Sequence, residues 1–176
     1  APADALYMPR DVRPAYAAGT RSADGNPGAK YWQNHSVHTM DITVEPPSRT
    51  ISATQEITFT NNSPYPMPGV PFKLLQNVRR PDALGVERLF PENFLTSGIH
   101  VDELRVNGVE QDWGPAAGQV TMHSVLFPEP LQPGESATFS IRWHFDLGDH
   151  VAYTKEGAVD PTSYFLAYFF PRIAVA

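Results

Sequence analysis

Apolar and polar residues alternate along most of the regular stretches of this chain. In Val37–Val44, Met40, Ile42 and Val44 alternate with polar residues, the period-2 signature of a half-buried strand. Pro46-Pro47-Ser48 marks a turn, because proline fixes φ and removes a ladder donor. From Thr50 to Thr60, Ile51, Ala53, Ile57 and Phe59 alternate with Thr and Glu, and the interval from Ala53 to Ile57 leaves room for one bulge. These two strands read as a hairpin, ended by Asn61-Asn62-Ser63-Pro64. Val70–Leu75 is a third strand, which Pro71 places near an edge or a strand start. Leu84, Arg88 and Leu89 fit one helical turn, but Pro81 and Pro91 bound it, so residues 78–98 are expected to be an irregular loop with a short helix. Ile99–Val106 is a strand, Asn107-Gly108 a hairpin turn and Val109–Trp113 the return strand. Gln119–Leu126 is another strand, followed by a long turn over Pro128–Glu135. Ala137–Phe145 alternates most clearly; it buries Phe139, Ile141 and Trp143, with Phe145 joining them only if the strand bends.

Many short strands between turn signals, with no helix of three turns, predict an all-β fold, an antiparallel β-sandwich. Residues 1–30 are rich in Ala, Pro, Gly and Arg and show no period. They are expected to form an extended lead-in across the surface of a single domain spanning 31–176. The apolar run Tyr164–Ala176 stops without a polar tail, and reads as a cut in a longer chain.

Composition narrows the function classes. Of 176 residues, 41% are hydrophobic, enough for a packed core. A net charge of −6 without a basic run disfavours nucleic acid as a partner. The absence of cysteine excludes disulfides, thiolate zinc sites, iron–sulfur clusters and cysteine nucleophiles. It leaves export open. The small residues Ala1-Pro2-Ala3 fit either what remains after signal cleavage or an artificial start of the chain, and the domain is read as extracytoplasmic. No stretch reaches the roughly 20 apolar residues of a transmembrane helix.

Candidate chemistry is sparse. There is no His-Glu-x-x-His pair, no Gly-x-Ser-x-Gly elbow and no phosphate loop; Gly25-Asn26-Pro27-Gly28-Ala29-Lys30 has the wrong spacing. His35 and His38, three apart in a strand, face opposite sides. His144 and His150 with Asp146 and Asp149 are the densest set of potential metal ligands, although a solvated strand end explains them as well. Asp102 and Glu103 are adjacent in a strand and point apart, so they cannot flank one bond. Asp41, Glu45 and Glu56 read as a charged solvent face. Tyr164, Phe165, Tyr168, Phe169 and Phe170 offer either a sugar-stacking platform or, ranked first, an interface. Asn34-His35-Ser36 and Asn61-Asn62-Ser63 are glycosylation sequons.

Four segments, in order, resemble the N-terminal domain of the M1 zinc metallopeptidases, relatives of aminopeptidase N and leukotriene A4 hydrolase. They are Val37–Pro46 with Ile51–Ser63; Leu104-Arg105-Val106-Asn107-Gly108; Leu131-Gln132-Pro133-Gly134-Glu135 running into Ile141; and Phe165–Val175, which contains Tyr168-Phe169-Phe170-Pro171-Arg172-Ile173. The resemblance covers roughly residues 31–176. It implies a saddle-like sandwich, without a catalytic motif or a metal of its own, packed on a zinc-bearing catalytic domain whose peptide cleft it helps to wall. It also implies that Tyr164, Phe165, Tyr168, Phe169, Phe170, Pro171 and Arg172 face that domain. In the family an acidic or amide side chain just before the final strand binds the substrate's free amine. The matching window, Pro161–Ala167, holds no Glu or Gln; Thr162 and Ser163 are its polar residues and Asp160 lies just outside. In this window the chain departs from the family's pattern for classical aminopeptidase specificity. The alternative is a freestanding sandwich that binds carbohydrate or protein.

Overall fold

The computed structural model describes residues 10–90, 92–113, 120–148 and 156–174. They fall into two compact units, 1–34 and 35–176. In the first, α1 (Arg13–Ala17) is a single turn begun by a proline, and Arg21 bridges Pro27. The lead-in is therefore not extended throughout. The amides of Gly28 and Lys30 fold back onto the carbonyls of Thr20 and Gly19. A Cβ on Gly28 would meet Gly19 O at 2.2 Å, so only glycine fits this approach.

The second unit is an antiparallel sandwich. Among the described residues its ten strands are β1 (His35–Val44), β2 (Thr50–Thr60), β3 (Met67–Lys73), β4 (Ile99–Val106), β5 (Val109–Gln111), β6 (Met122–Leu131), β7 (Ser136–Asp146), β8 (Gly157–Asp160), β9 (Ser163–Phe165) and β10 (Arg172–Ile173). One sheet runs β1-β2-β7-β4-β5, a second β10-β3-β6, and β8 and β9 form a hairpin. Phe139 of β7 meets Phe72 of β3 at 5.4 Å between ring centroids and Phe127 of β6 at 6.0 Å, which fixes the two larger sheets face to face. Burying a ring of this size stabilises by about 2–3 kcal/mol.

Strand β7 buries Ala137, Phe139, Ile141, Trp143 and Phe145 on one face. Phe145 shares the parity of Trp143, so no bend is needed. Strand β2 pairs β7 in unbroken register from Thr50 to Thr60, without the expected bulge. The interval between Ala53 and Ile57 is filled by Gln55, which points into the core and is 1% exposed.

Register shifts lie instead in β3, between Met67 and Gly69, in β8, between Ala158 and Asp160, and in β4, between Val101 and Glu103. In β4, Ile99 is buried before the shift, Leu104 and Val106 after it, so the inward parity switches there. Asn107 (φ 51°) and Gly108 (φ 80°) take the left-handed pair that a tight two-residue hairpin needs.

The prolines mislead in two places. Strand β6 continues through Pro128 and Pro130 to Leu131, where a turn was expected. As the edge strand of its sheet it tolerates their missing donors. Strand β3 is central rather than at an edge, but β10 pairs only with Phe72 and Lys73. Pro71 sits where that ladder ends and gives its carbonyl to the Ala174 amide. In β1, Ile42 and Val44 are 42% and 38% exposed rather than half-buried, because β1 is the edge strand of the larger sheet.

Among the described residues, the segment 75–98 carries two 3-10 turns, Leu75–Arg79 and Glu92–Phe94, and one helical turn, α2 (Val86–Leu89). Ala83, Val86 and Phe90 form a small satellite core, while Leu84 lies fully exposed before the helix.

Candidate functional site

Asp160, Thr162 and Ser163 come together in the tight turn that joins β8 to β9. Asp160 Oδ1 accepts from the Thr162 amide at 2.7 Å and from its hydroxyl at 2.9 Å. These bonds, the backbone one first, together with the Ser163 hydroxyl, hold the Asp160 carboxyl below the usual carboxylate range. Thr162 and Ser163 are thus occupied in orienting an exposed, ionised carboxylate. Tyr164 Oη donates to Ser48 O at 2.8 Å and ties this hairpin to the β1–β2 turn.

The apolar run that follows divides by burial. Tyr164, Leu166, Phe169, Phe170 and Ile173 pack on the main core, and Pro171 is buried. Phe169 lies 6.1 Å from Trp143 and 5.5 Å from Phe170, ring to ring. Phe165 and Tyr168 remain 49% and 65% exposed. The Arg172 guanidinium sits over the Tyr168 ring at 5.2 Å. Tyr168 holds φ 55°, a left-handed backbone that costs a residue with a Cβ about 1–2 kcal/mol. The segment therefore spends strain to turn one aromatic ring outward. Of the seven residues expected at an interface, Phe165, Tyr168 and Arg172 supply accessible surface, whereas Tyr164, Phe169, Phe170 and Pro171 anchor the segment.

The anchor is completed by Gln55. Its Oε1 accepts from Trp143 Nε1 at 2.9 Å, and its Nε2 donates to Pro171 O and to His38 Nδ1, each at 2.9 Å. The indole N–H can only donate and the carbonyl can only accept, which fixes the orientation of the amide. His38 Nδ1 must then be the unprotonated nitrogen, and burial pushes the imidazole pKa down in agreement. Sequence reading passed over Gln55; its place in the alternation Ile51, Ala53, Gln55, Ile57, Phe59 was the available signal.

A second polar cluster lies on the outer face of the larger sheet. The bulge in β4 turns both Asp102 and Glu103 toward β7, contrary to the expectation that they point apart. Asp102 Oδ2 lies 3.0 Å from His144 Nδ1, and Glu103 lies 2.6 Å from Arg105 and 3.3 Å from Arg142. His100 stacks on His144 at 4.9 Å. Asp102, Arg142 and His144, with Asp41, Thr50 and Ser52, line a shallow groove of about 380 Å³. Ser52 is directly opposite His144. No hydrogen bond joins their side chains among the described residues. Among the described residues, no three His, Asp or Glu side chains are placed to hold a metal ion. His150 and Asp149 of the proposed ligand set lie outside the described residues.

A third cluster is buried. Arg79, 2% exposed, donates to Glu156 O at 3.1 Å, and its guanidinium lies 3.8 Å from the Glu156 carboxylate. Gln76 Nε2 donates to Glu156 Oε2 at 2.7 Å. Burial nevertheless pushes the Glu156 pKa up. Sequence reading did not single out these residues, since nothing in their spacing joins positions 80 apart. The sequon residue Asn61 is also buried, and its Nδ2 donates to the carbonyls of Tyr65 and Leu131.

The fold thus defines an antiparallel sandwich with an aromatic closing segment. No protein-family model matches this chain, and no curated protein sequence matches it. Solved structures do. A point mutant of an M1 zinc metallopeptidase from Deinococcus radiodurans matches 81% of this chain and 28% of its own, at a TM-score of 0.50 and 18% identity. A second structure of an M1 zinc metallopeptidase from Deinococcus radiodurans matches 77% of this chain and 24% of its own, at a TM-score of 0.45 and 17% identity. The resemblance to M1 zinc metallopeptidases is therefore one of fold, and this chain spans about a quarter of the matched length. Among the described residues, no helix is long and apolar enough to cross a membrane.

Proposed function

We propose that this chain is the non-catalytic N-terminal domain of an exported, aminopeptidase-like zinc metallopeptidase of the M1 type. In this reading the sandwich packs on a catalytic domain through Phe165, Tyr168 and Arg172 and walls one side of its peptide cleft. The observation that carries the reading is the match of 81% of the chain to 28% of an M1 zinc metallopeptidase. Zinc and the residues that hold it belong, in this proposal, to the catalytic domain.

Mechanistically, the sandwich positions rather than reacts. The metal, when bound in the catalytic domain, would polarise the scissile carbonyl. Asp160 is the side chain suited to the substrate's free α-amine: it is exposed, held ionised by Thr162, and carried on a hairpin that Tyr164 pins to the sheet. The test uses the full-length gene product with peptide substrates. Asp160→Asn is expected to raise KM for peptides with a free amino terminus and to leave N-acetylated peptides unaffected. Equal KM values for both substrate classes in wild type and variant would remove Asp160 from the cleft. Fractionation of the producing cells tests the extracytoplasmic location.

A further inference from the structure

The two sheets present unlike outer surfaces. The larger one shows solvent hydroxyls and charges, among them Thr54, Arg142 and His144. The smaller one, β10-β3-β6, is different. Alternation puts Phe72 in the core, so Lys73 and Pro71 face outward. Lys73 is directly opposite Arg172 on β10 and Met122 on β6. Leu126, 66% exposed, lies on the same outer face. Two cations directly opposite in a ladder repel each other. Among the described residues, no carboxylate forms an ion pair with either one, although the chain as a whole is acidic at −6. Arg172 is held instead over the outward-turned ring of Tyr168.

We infer that the Lys73–Arg172 couple is a receptor for carboxylates, and that an acidic surface of the catalytic domain of the same chain sits on this sheet. The inference rests on the domain reading above and names the chemistry of the partner. Charge complementarity selects the occupant. Pro71, Met122 and Leu126, with exposed Ser124 between the last two, supply contact area, and two cations without an ion-pair partner among the described residues demand negative charge from whatever covers them. Tyr168 and Arg172 are also the residue types that dominate interface energetics.

Zero-length carbodiimide coupling of the full-length gene product, read by mass spectrometry, tests this. Lys73 is expected to couple to an Asp or Glu beyond residue 176 of the same chain. The double variant Lys73→Glu/Arg172→Glu is expected to speed proteolytic separation of the domains by roughly tenfold. If Lys73 stays uncoupled and is acylated as fast as exposed Lys30, the receptor inference is overturned while the domain reading stands. Coupling to another copy, or to another protein, overturns the choice of occupant. A gene product that ends at Ala176 overturns the domain reading, and the occupant with it.

Discussion

Gln55 Nε2 donates to Pro171 O at 2.9 Å, a bond between residues 116 positions apart that joins the core of the sandwich to its closing segment. The same amide satisfies the Trp143 indole and His38. Replacing Gln55 by Leu would leave the Trp143 N–H and the Pro171 carbonyl buried without partners. A cost of about 2–4 kcal/mol is expected, read as a lower urea midpoint. A loss below about 0.5 kcal/mol would show that the amide is not the tie described here.

The pH dependence of stability has a definite sign. Burial lowers the pKa of His38 and of His123 from the ordinary 6.5. Below that value the unfolded chain takes up protons that the folded chain refuses, so stability falls as pH drops through 6.5 and is unaffected above it. Urea midpoints measured on either side of pH 6.5 should show the decline, and His38→Gln should reduce it while His123 retains its share. Glu156 acts oppositely: its pKa is raised from 4.5, so its contribution weakens as pH rises above 4.5. A midpoint that rises on acidification through 6.5 would contradict the assignment to the histidines.

The buried Arg79–Glu156 pair predicts an asymmetry between its partners. Glu156→Gln removes the carboxylate beside the Arg79 guanidinium, which is 2% exposed and cannot deprotonate, and is expected to cost about 3–5 kcal/mol. Arg79→Met leaves a carboxyl whose neutral form burial already favours. It should cost clearly less. Chemical denaturation of both variants decides the order, and equal losses would mean that the charge itself carries the site.

Asp160 stands apart from stability. It is an exposed turn residue, so Asp160→Ala should shift stability by no more than about 1 kcal/mol. A larger loss would recast the hairpin as a structural keystone rather than a cleft wall.

Much of this architecture was legible in the chain, and its failures have physical reasons. Strands β1, β2, β4 and β7 follow from period-2 alternation, and the Asn107-Gly108 hairpin from its turn chemistry. The room for a bulge between Ala53 and Ile57 is filled by Gln55, a core position that its polar residue type does not announce. The bulge in β4 was marked by the parity switch between Val101 and Leu104. Pro128 and Pro130 were read as a turn, whereas an edge strand accommodates proline. The division of the aromatic run into anchors and exposed Phe165 and Tyr168 depends on the left-handed backbone at Tyr168, which no propensity foretells. The Arg79–Glu156 pair joins distant positions, and local pattern carries no trace of it.

The central claim is that this sandwich is a domain of a zinc metallopeptidase. The most direct measurement is to read the coding sequence beyond Ala176. The account predicts a His-Glu-x-x-His helix with a Glu further on, and a gene product that retains zinc on purification. A stop codon after Ala176, or a downstream domain without that motif, would contradict it.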